Sequence, residues 1–220
     1  MAFDCVVFDC DGVLVDSEPL ALEAAVGVFA DWIPGLDAAR FAERFAGLSD
    51  EEIIDALARE NGRAAPADLS ARIERAIDAR LAEAVEGVPG IAAALDAIAL
   101  PMAVASNSPR HRVELSLDRA GIKARFEGRL CCADMVARPK PDPDVYLMAA
   151  ERLGAAPGAC IAVEDSTTGI AAARAAGMTV LGFTGGGHTW PGHAEALTAA
   201  GAARIVPHMA DLPGTLAAIG

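Results

Sequence analysis

The sequence predicts an α/β protein with a doubly wound, Rossmann-like parallel sheet as its core and an α-helical domain inserted into it. Short apolar runs, most of them unbroken, alternate with Ala-rich helical stretches over most of the chain, as expected for strands covered by helices on both faces. Two helical stretches end at a glycine suited to a helix C-terminus, Gly121 and Gly177. Residues 18–86 break this alternation, because they hold helical patterns and no strand candidate.

Each element of this prediction has its own signal. The strand candidates are residues 4–9, 102–106, 129–132, 160–164 and 178–183. The clearest helices between them cover residues 110–120, 144–153 and 168–176. Within the insertion, Ser49 followed by acidic residues and Pro66 before Ala67 both have the pattern of a helix start. We therefore predict a core of residues 1–14 and 87–220 and a helical domain of residues 15–86.

Composition and charge restrict the class of protein further. The 220 residues are 53% hydrophobic and 22% charged, which indicates an ordered globular chain. The net charge of −13 argues against a nucleic-acid partner, since phosphate backbones are bound by clustered Lys and Arg. No signal peptide and no membrane-spanning stretch is recognisable, so we expect a soluble, cytoplasmic protein. The five cysteines lack CxxC spacing, which predicts neither a zinc site nor a disulfide framework.

Two aspartates follow the first strand candidate. Asp9 and Asp11 frame Cys10 and precede Gly12, at the strand end where open α/β sheets bind their ligands. At about 4 Å and an effective dielectric near 20, two such carboxylates repel each other by roughly 4 kcal/mol. The pair therefore tends to hold a hard cation or to share a proton. Taken alone, this motif fits an acidic surface turn equally well.

Three later segments place further polar groups at strand ends. Ser106 and Asn107 follow the second strand candidate and precede a helix, which suits either a phosphate seat or a helix cap. Lys140 stands among alternating prolines, so it projects from a stiff segment. Glu164 and Asp165 form a second acidic pair at the end of the fourth strand candidate. This many carboxylates at one edge require a cation, and oxygen ligands suit Mg²⁺.

Together these segments resemble the motif set of the haloacid dehalogenase superfamily, over essentially the whole chain. The helical insertion is similar to that family's α-helical cap domain. Asp16-Ser17-Glu18, Gly47-Leu48-Ser49 and the Pro-rich residues 138–143 resemble the branch of sugar-phosphate phosphatases and β-phosphoglucomutases. Within that branch, the stretches around residues 8–18, 44–62 and 101–107 look similar to bacterial 6-phosphogluconate phosphatases.

The resemblance implies a role for each residue. Asp9 would be the nucleophile that forms an aspartyl phosphate, and Asp11 the general acid/base. Mg²⁺ would be held by the Asp9 side chain, the Asp11 carbonyl and Asp165. Glu164 would either bind the ion directly or contact the residues that bind it. The phosphoryl oxygens would be bound by Ser106, Lys140 and the backbone of Asn107. Arg44 and Arg110 are candidate substrate contacts, although solvated helix-surface arginines are the commoner case.

Three functions then compete. We predict a Mg²⁺-dependent phosphatase whose partner is a small phosphorylated sugar, sugar acid or polyol, with 6-phosphogluconate the first compound to try. A β-phosphoglucomutase is the alternative, but such mutases carry His, Lys and Arg where this chain has Ala21, Ala46 and Asp50. A third possibility is a non-catalytic, phospho-accepting receiver module. The helical insertion and the late position of the second acidic pair in the chain argue against it. The substrate and the choice between monomer and dimer stay open.

Overall fold

The computed structural model describes residues 3–45 and 50–219. The chain divides into two compact units. One contains the described residues up to Glu18 and from Val85 onward, and the other runs from Pro19 to Ala84. The domain boundaries predicted at 14/15 and 86/87 lie close to these points, and the role of the second unit as a cap stays a prediction.

The first unit is built on a six-stranded parallel sheet. Its strands are β1 Cys5–Phe8, β2 Met102–Ser106, β3 Leu130–Cys132, β4 Cys160–Glu164, β5 Thr179–Phe183 and β6 Arg204–Val206. The order across the sheet is β3-β2-β1-β4-β5-β6, which is the order of a doubly wound fold. The predicted fold class is therefore confirmed. The edge strand β6 was not predicted, because three residues beginning with an exposed arginine carry too short an apolar pattern.

Ten α-helices occur in the part of the chain that the structure describes. They are α1 Glu18–Trp32, α2 Ala38–Phe45, α3 Asp50–Asn61, α4 Leu69–Ala84, α5 Ile91–Ala97, α6 Arg110–Arg119, α7 Asp144–Leu153, α8 Thr167–Ala175, α9 His193–Ala200 and α10 Leu212–Ile219. The two predicted C-terminal glycines, Gly121 and Gly177, both have the positive φ that a helix end requires of them, 70° and 89°.

Both faces of the sheet are buried, which explains the unbroken apolar runs. On one face, the small side chains of Val7, Ala103 and Ala162 pack in one core with Ala149 of α7 and Ala172 of α8. These small residues let the helices approach the strands closely. On β1 the residues alternate between faces, and Phe8 packs its ring edge-on against Phe126 at a centroid distance of 6.1 Å. All five cysteines are buried and none forms a disulfide bond.

The second unit buries one stripe of each long helix. Leu69, Ile73, Ile77 and Leu81 of α4 are four residues apart and all buried, the spacing that places side chains on one helix face. The helix start predicted at Pro66 corresponds to α4, whose first amide, that of Leu69, donates to the Pro66 carbonyl at 3.0 Å. The start predicted at Ser49 lies outside the described residues. Across those described, no helix has both the length and the apolar character to cross a membrane.

The topology decides where a site can form. β1 lies between β2 and β4, and the chain order reverses direction across the sheet at β1 and β4. In open parallel sheets the carboxyl ends at such a reversal leave a crevice that binds ligands. Asp9, Ser106 and Glu164 stand at the carboxyl ends of these three strands. The fold therefore delivers the sequence-predicted polar residues to one place.

Candidate active site

A tight turn follows β1 and presents Asp9 and Asp11. The Asp9 amide donates to the Val163 carbonyl at 2.9 Å, which extends the strand pairing by one residue. Gly12 then adopts φ 78°, a value that only glycine takes without strain. A Cβ on Gly12 would also lie 1.8 Å from Asp165 Oδ2. The glycine of this motif is therefore required by conformation and by the close approach of Asp165.

Lys140 joins the first and fourth strands through two carboxylates. Its Nζ donates to Asp9 Oδ1 and to Glu164 Oε1, both at 2.6 Å. All three side chains are buried. Burial alone would lower the pKa of Lys140, but the carboxylates of Asp9 and Glu164 raise it above its ordinary value. Lys140 therefore stays charged, and it fixes one oxygen of Asp9.

Glu164 is fully occupied by hydrogen bonds. Its Oε1 accepts from Lys140 Nζ and from the Tyr146 hydroxyl at 2.7 Å. Its Oε2 accepts from the amides of Asp165 and Ser166, both at 3.1 Å, and from the Ser166 hydroxyl at 3.0 Å. A carboxylate has roughly four acceptor positions, so these five donors occupy all of them. The sequence did not indicate the contribution of Tyr146, which stands in the first turn of α7.

Asp11 is held by three hydroxyl groups. Ser17 donates to its Oδ1 at 2.7 Å, and Ser108 and Ser106 donate to its Oδ2 at 2.8 and 3.2 Å. Ser106 Oγ also accepts from the Ser108 amide at 2.9 Å. The carboxyl group is thus oriented from both sides. Ser17 lies in a stretch already singled out in the sequence and Ser108 directly follows Asn107, but only the fold shows that both reach Asp11.

Asn107 clamps the backbone of Lys140. Its side-chain amide donates to the Lys140 carbonyl at 3.0 Å, and its Oδ1 accepts from the Lys140 amide at 2.8 Å. The motif resemblance implies a role only for the backbone of Asn107. The structure shows in addition that its side chain fixes the residue that carries the positive charge.

Asn107→Ala is expected to lower both stability and activity because it removes both bonds of this clamp. Two hydrogen bonds at about 1 kcal/mol each would reduce the free energy of unfolding by about 2 kcal/mol. A misplaced Lys140 would reduce kcat/KM by about 10–100-fold. Urea unfolding and steady-state kinetics measure the two effects. Asn61→Ala removes the chain's other asparagine, at the end of α3, and should leave kcat/KM unchanged. An equal loss of kcat/KM in both variants would contradict the clamp.

Three carboxylates come close enough to share an ion. One oxygen each of Asp9, Glu164 and Asp165 lies within 4.8 Å of the others. Burial is the main cause that raises the pKa of Asp9 and of Asp165, and neighbouring carboxylates add to it. A hard divalent cation would offset this repulsion and favour the ionised form. The all-oxygen donor set fits Mg²⁺.

Asp165 is also contacted from the loop after β5. His188 Nε2 lies 3.0 Å from Asp165 Oδ2, and this hydrogen bond raises the pKa of His188 above its ordinary value. His193 Nε2 donates to the backbone carbonyl of Asp165 at 2.7 Å. Neither histidine belongs to a motif identified from the sequence. Their position next to Asp165 depends on the pairing of β4 with β5.

The two arginines proposed from the sequence have partners of their own. Arg44, in the helical unit, pairs with Glu60. Arg110 pairs with Glu114 at 2.7 Å and lines a cleft of about 470 Å³ beside β3, together with Lys123. Their roles as substrate contacts stay predictions. Ala46 and the side chain of Asp50 lie outside the described residues. They are two of the positions at which the sequence differs from the mutases.

Residues 3–177 match the model of the haloacid dehalogenase-like hydrolases, and the chain belongs to this family. More particularly, it is 34% identical over 189 residues to the 6-phosphogluconate phosphatase of Escherichia coli K12, covering 86% of each chain. It is 33% identical to hexitol phosphatase B of the same organism, over 78% of this chain and 79% of the relative. A haloacid dehalogenase-like protein of Agrobacterium tumefaciens C58 superposes with a TM-score of 0.89 and 39% identity over 99% of each chain.

These comparisons confirm three predictions made from the sequence. The family is the predicted one, the α/β fold is shared with solved members, and the chain is an enzyme, a phosphatase of the haloacid dehalogenase-like hydrolases. The acidic cluster at the strand ends fits the catalytic site of such an enzyme.

Proposed function

We propose that this chain is a Mg²⁺-dependent phosphatase of small phosphorylated sugars, sugar acids or polyols, acting through an aspartyl phosphate on Asp9. The observation that carries the proposal is the buried bridge from Asp9 through Lys140 to Glu164. This bridge places a carboxylate and a permanent positive charge side by side, which is what attack on a phosphate ester requires.

In the first step an Asp9 oxygen attacks phosphorus while the bond from phosphorus to the ester oxygen breaks. An ammonium group has three N–H donors, and Lys140 uses two of them on Asp9 and Glu164. The third is available to a phosphoryl oxygen. Ser106 and the Asn107 amide, at the end of β2, would bind further phosphoryl oxygens. Most of the rate enhancement would come from such positioning and charge stabilisation.

Asp11 would move the protons. It would donate its proton to the leaving ester oxygen, so that the sugar departs as an alcohol. In the second step it would take a proton from water as the water oxygen attacks phosphorus. The bond from phosphorus to Asp9 then breaks, which releases inorganic phosphate and restores the carboxylate. The three hydroxyls on Asp11 support this role, since they keep its carboxyl group in one orientation.

Mg²⁺ would be held by the Asp9 side chain, the Asp11 carbonyl and Asp165. When bound, it would supply positive charge that neutralises the phosphoryl group. Glu164 would stand behind the ion rather than bind it, because its oxygens already accept five hydrogen bonds. Its role would be to hold Lys140 in place.

The substrate class rests on the relatives. The proteins of 34% and 33% identity are named for 6-phosphogluconate and for hexitol phosphates, that is, for a phosphorylated sugar acid and phosphorylated polyols. We expect the substrate of this chain to belong to the same chemical group, with 6-phosphogluconate the first compound to test.

A phosphate-release screen over phosphorylated sugars, sugar acids and polyols tests the proposal. We expect turnover of at least one compound in the presence of Mg²⁺ and its loss with EDTA, restored by excess Mg²⁺. The panel includes β-glucose 1-phosphate, because conversion to glucose 6-phosphate without phosphate release would indicate the mutase instead. Stable phosphorylation of Asp9 without turnover would indicate a receiver module. Absence of any Mg²⁺-dependent turnover across the panel would overturn the enzymatic assignment of this site.

A further inference from the structure

The loop between β5 and α9 packs directly against the turn that carries Asp9 and Asp11. A Cβ on Gly186 would lie 2.8 Å from the Gly12 carbonyl oxygen, and one on Gly187 would lie 2.6 Å from Asp16 Oδ2. A side chain at Gly186 would meet the backbone of Gly12, and one at Gly187 would displace the Asp16 carboxylate. The Gly187 amide also donates to Asp16 Oδ1 at 2.9 Å. The consecutive glycines therefore allow this loop, residues 184–192, to lie against the catalytic turn.

This contact places His188 on the carboxylate of Asp165. Its Nε2 is 3.0 Å from Asp165 Oδ2, and its side chain is only 20% exposed. The ring also fills the space beside Gly12, where a Cβ would lie 2.7 Å from His188 Cε1. The second ring nitrogen, Nδ1, is buried and finds no hydrogen-bond partner within residues 3–45 and 50–219. Nε2 is thus the atom through which His188 acts.

His193 restrains the backbone of Asp165. Its Nε2 binds the Asp165 carbonyl at 2.7 Å, and its ring is buried beneath Trp190, with the two ring centroids 3.8 Å apart. Asp165 is therefore held at its backbone by one histidine and at its side chain by another. The hydrogen bond from His188 is made to Oδ2, so it leaves the other carboxylate oxygen, Oδ1, to an ion.

We propose that His188 is a positioning residue for the metal site, which orients Asp165 so that Oδ1 faces the ion. This inference rests on the proposed Mg²⁺ site and adds a residue that lies outside the motifs that define it. A carboxylate that binds a metal is ordinarily fixed by a hydrogen bond to its second oxygen, and loss of that partner typically weakens metal affinity by about 10–100-fold. His188 supplies this bond from the loop.

Direct measurement of Mg²⁺ affinity tests the role without a substrate. Isothermal titration of the full chain with MgCl₂ is expected to show an affinity about 10–100-fold weaker for His188→Ala. His188→Gln should bind Mg²⁺ nearly as the parent does, because its amide nitrogen takes the position of Nε2. His188→Asn, whose amide is too short to reach Asp165, should resemble His188→Ala. His208→Ala removes an exposed histidine of the same unit and serves as the matched control.

A kinetic readout separates positioning from general damage. The Mg²⁺ concentration at half-maximal activity should rise in His188→Ala and His188→Asn by the factor seen in titration, with a smaller change in kcat at saturating Mg²⁺. Parent-like Mg²⁺ affinity in both variants would overturn the proposal, and so would equal weakening in His188→Gln. If His188→Ala does not fold, the comparison of His188→Gln with His188→Asn tests the proposal. Failure of the phosphatase assignment is distinguishable, since it would leave these affinities as expected while no ester is turned over.

Discussion

Asp9→Asn is expected to lower phosphate release by about 10⁴–10⁶-fold, the range found when a covalent nucleophile is removed. Asparagine keeps the shape of the side chain, and its Oδ1 can still accept from Lys140, so the fold should persist. What is lost is the anionic oxygen that attacks phosphorus. Steady-state kinetics on the best substrate of the screen measures the loss, and circular dichroism checks the fold.

Asp4→Asn is the matched control for this variant. Asp4 precedes the same strand at its opposite end and is exposed, so the identical chemical change there should leave turnover unchanged. Acid-quenched parent enzyme mixed with substrate should carry one phosphoryl group on the peptide that contains Asp9, and Asp9→Asn should carry none. Turnover of Asp9→Asn within tenfold of the parent would show that another residue is the nucleophile.

Lys140→Met is expected to cause the largest loss of stability, together with a loss of activity. It leaves the buried carboxylates of Asp9 and Glu164 without their shared partner, a change that costs about 3–5 kcal/mol. Removing a preorganised charge from the phosphoryl site should also lower kcat by about 10²–10³-fold. Urea unfolding with and without Mg²⁺ measures the first effect. The deficit should be smaller with Mg²⁺, because the carboxylates that lost the lysine charge attract the ion more strongly, so that Mg²⁺ stabilises the variant more than the parent.

The same variant has an expected pH dependence. Burial raises the pKa of Asp9, and Lys140 lowers it, so loss of the lysine raises that pKa further. A carboxyl whose pKa is raised by folding contributes stability at low pH that is lost as pH rises through its folded-state pKa. The stability deficit of Lys140→Met should therefore shrink on acidification. Lys123→Met, at the chain's other lysine, is the control, and an equal deficit there would refute the bridge.

Much of the core could be predicted from local pattern. β2 and β4 have the bounds predicted for them, and so does α7, because buried strands and alanine-rich helices leave distinct apolar periods in the sequence. β6 was missed because it is short and half exposed at the sheet edge. The strand-end positions of Asp9, Ser106 and Glu164 followed from the strands themselves, since each residue directly ends or follows an apolar run.

The sequence by itself determined which groups are candidates for the chemistry: two acidic pairs and a serine at the ends of short apolar runs, and a lysine in a stiff segment. Only the tertiary structure decided how these groups are held. The Asn107 clamp, the Tyr146 hydroxyl on Glu164 and the contact of His188 with Asp165 each join residues at least 18 positions apart. Such contacts depend on side-chain reach across packed elements, and a hydrogen bond between distant residues leaves no periodic pattern along the chain.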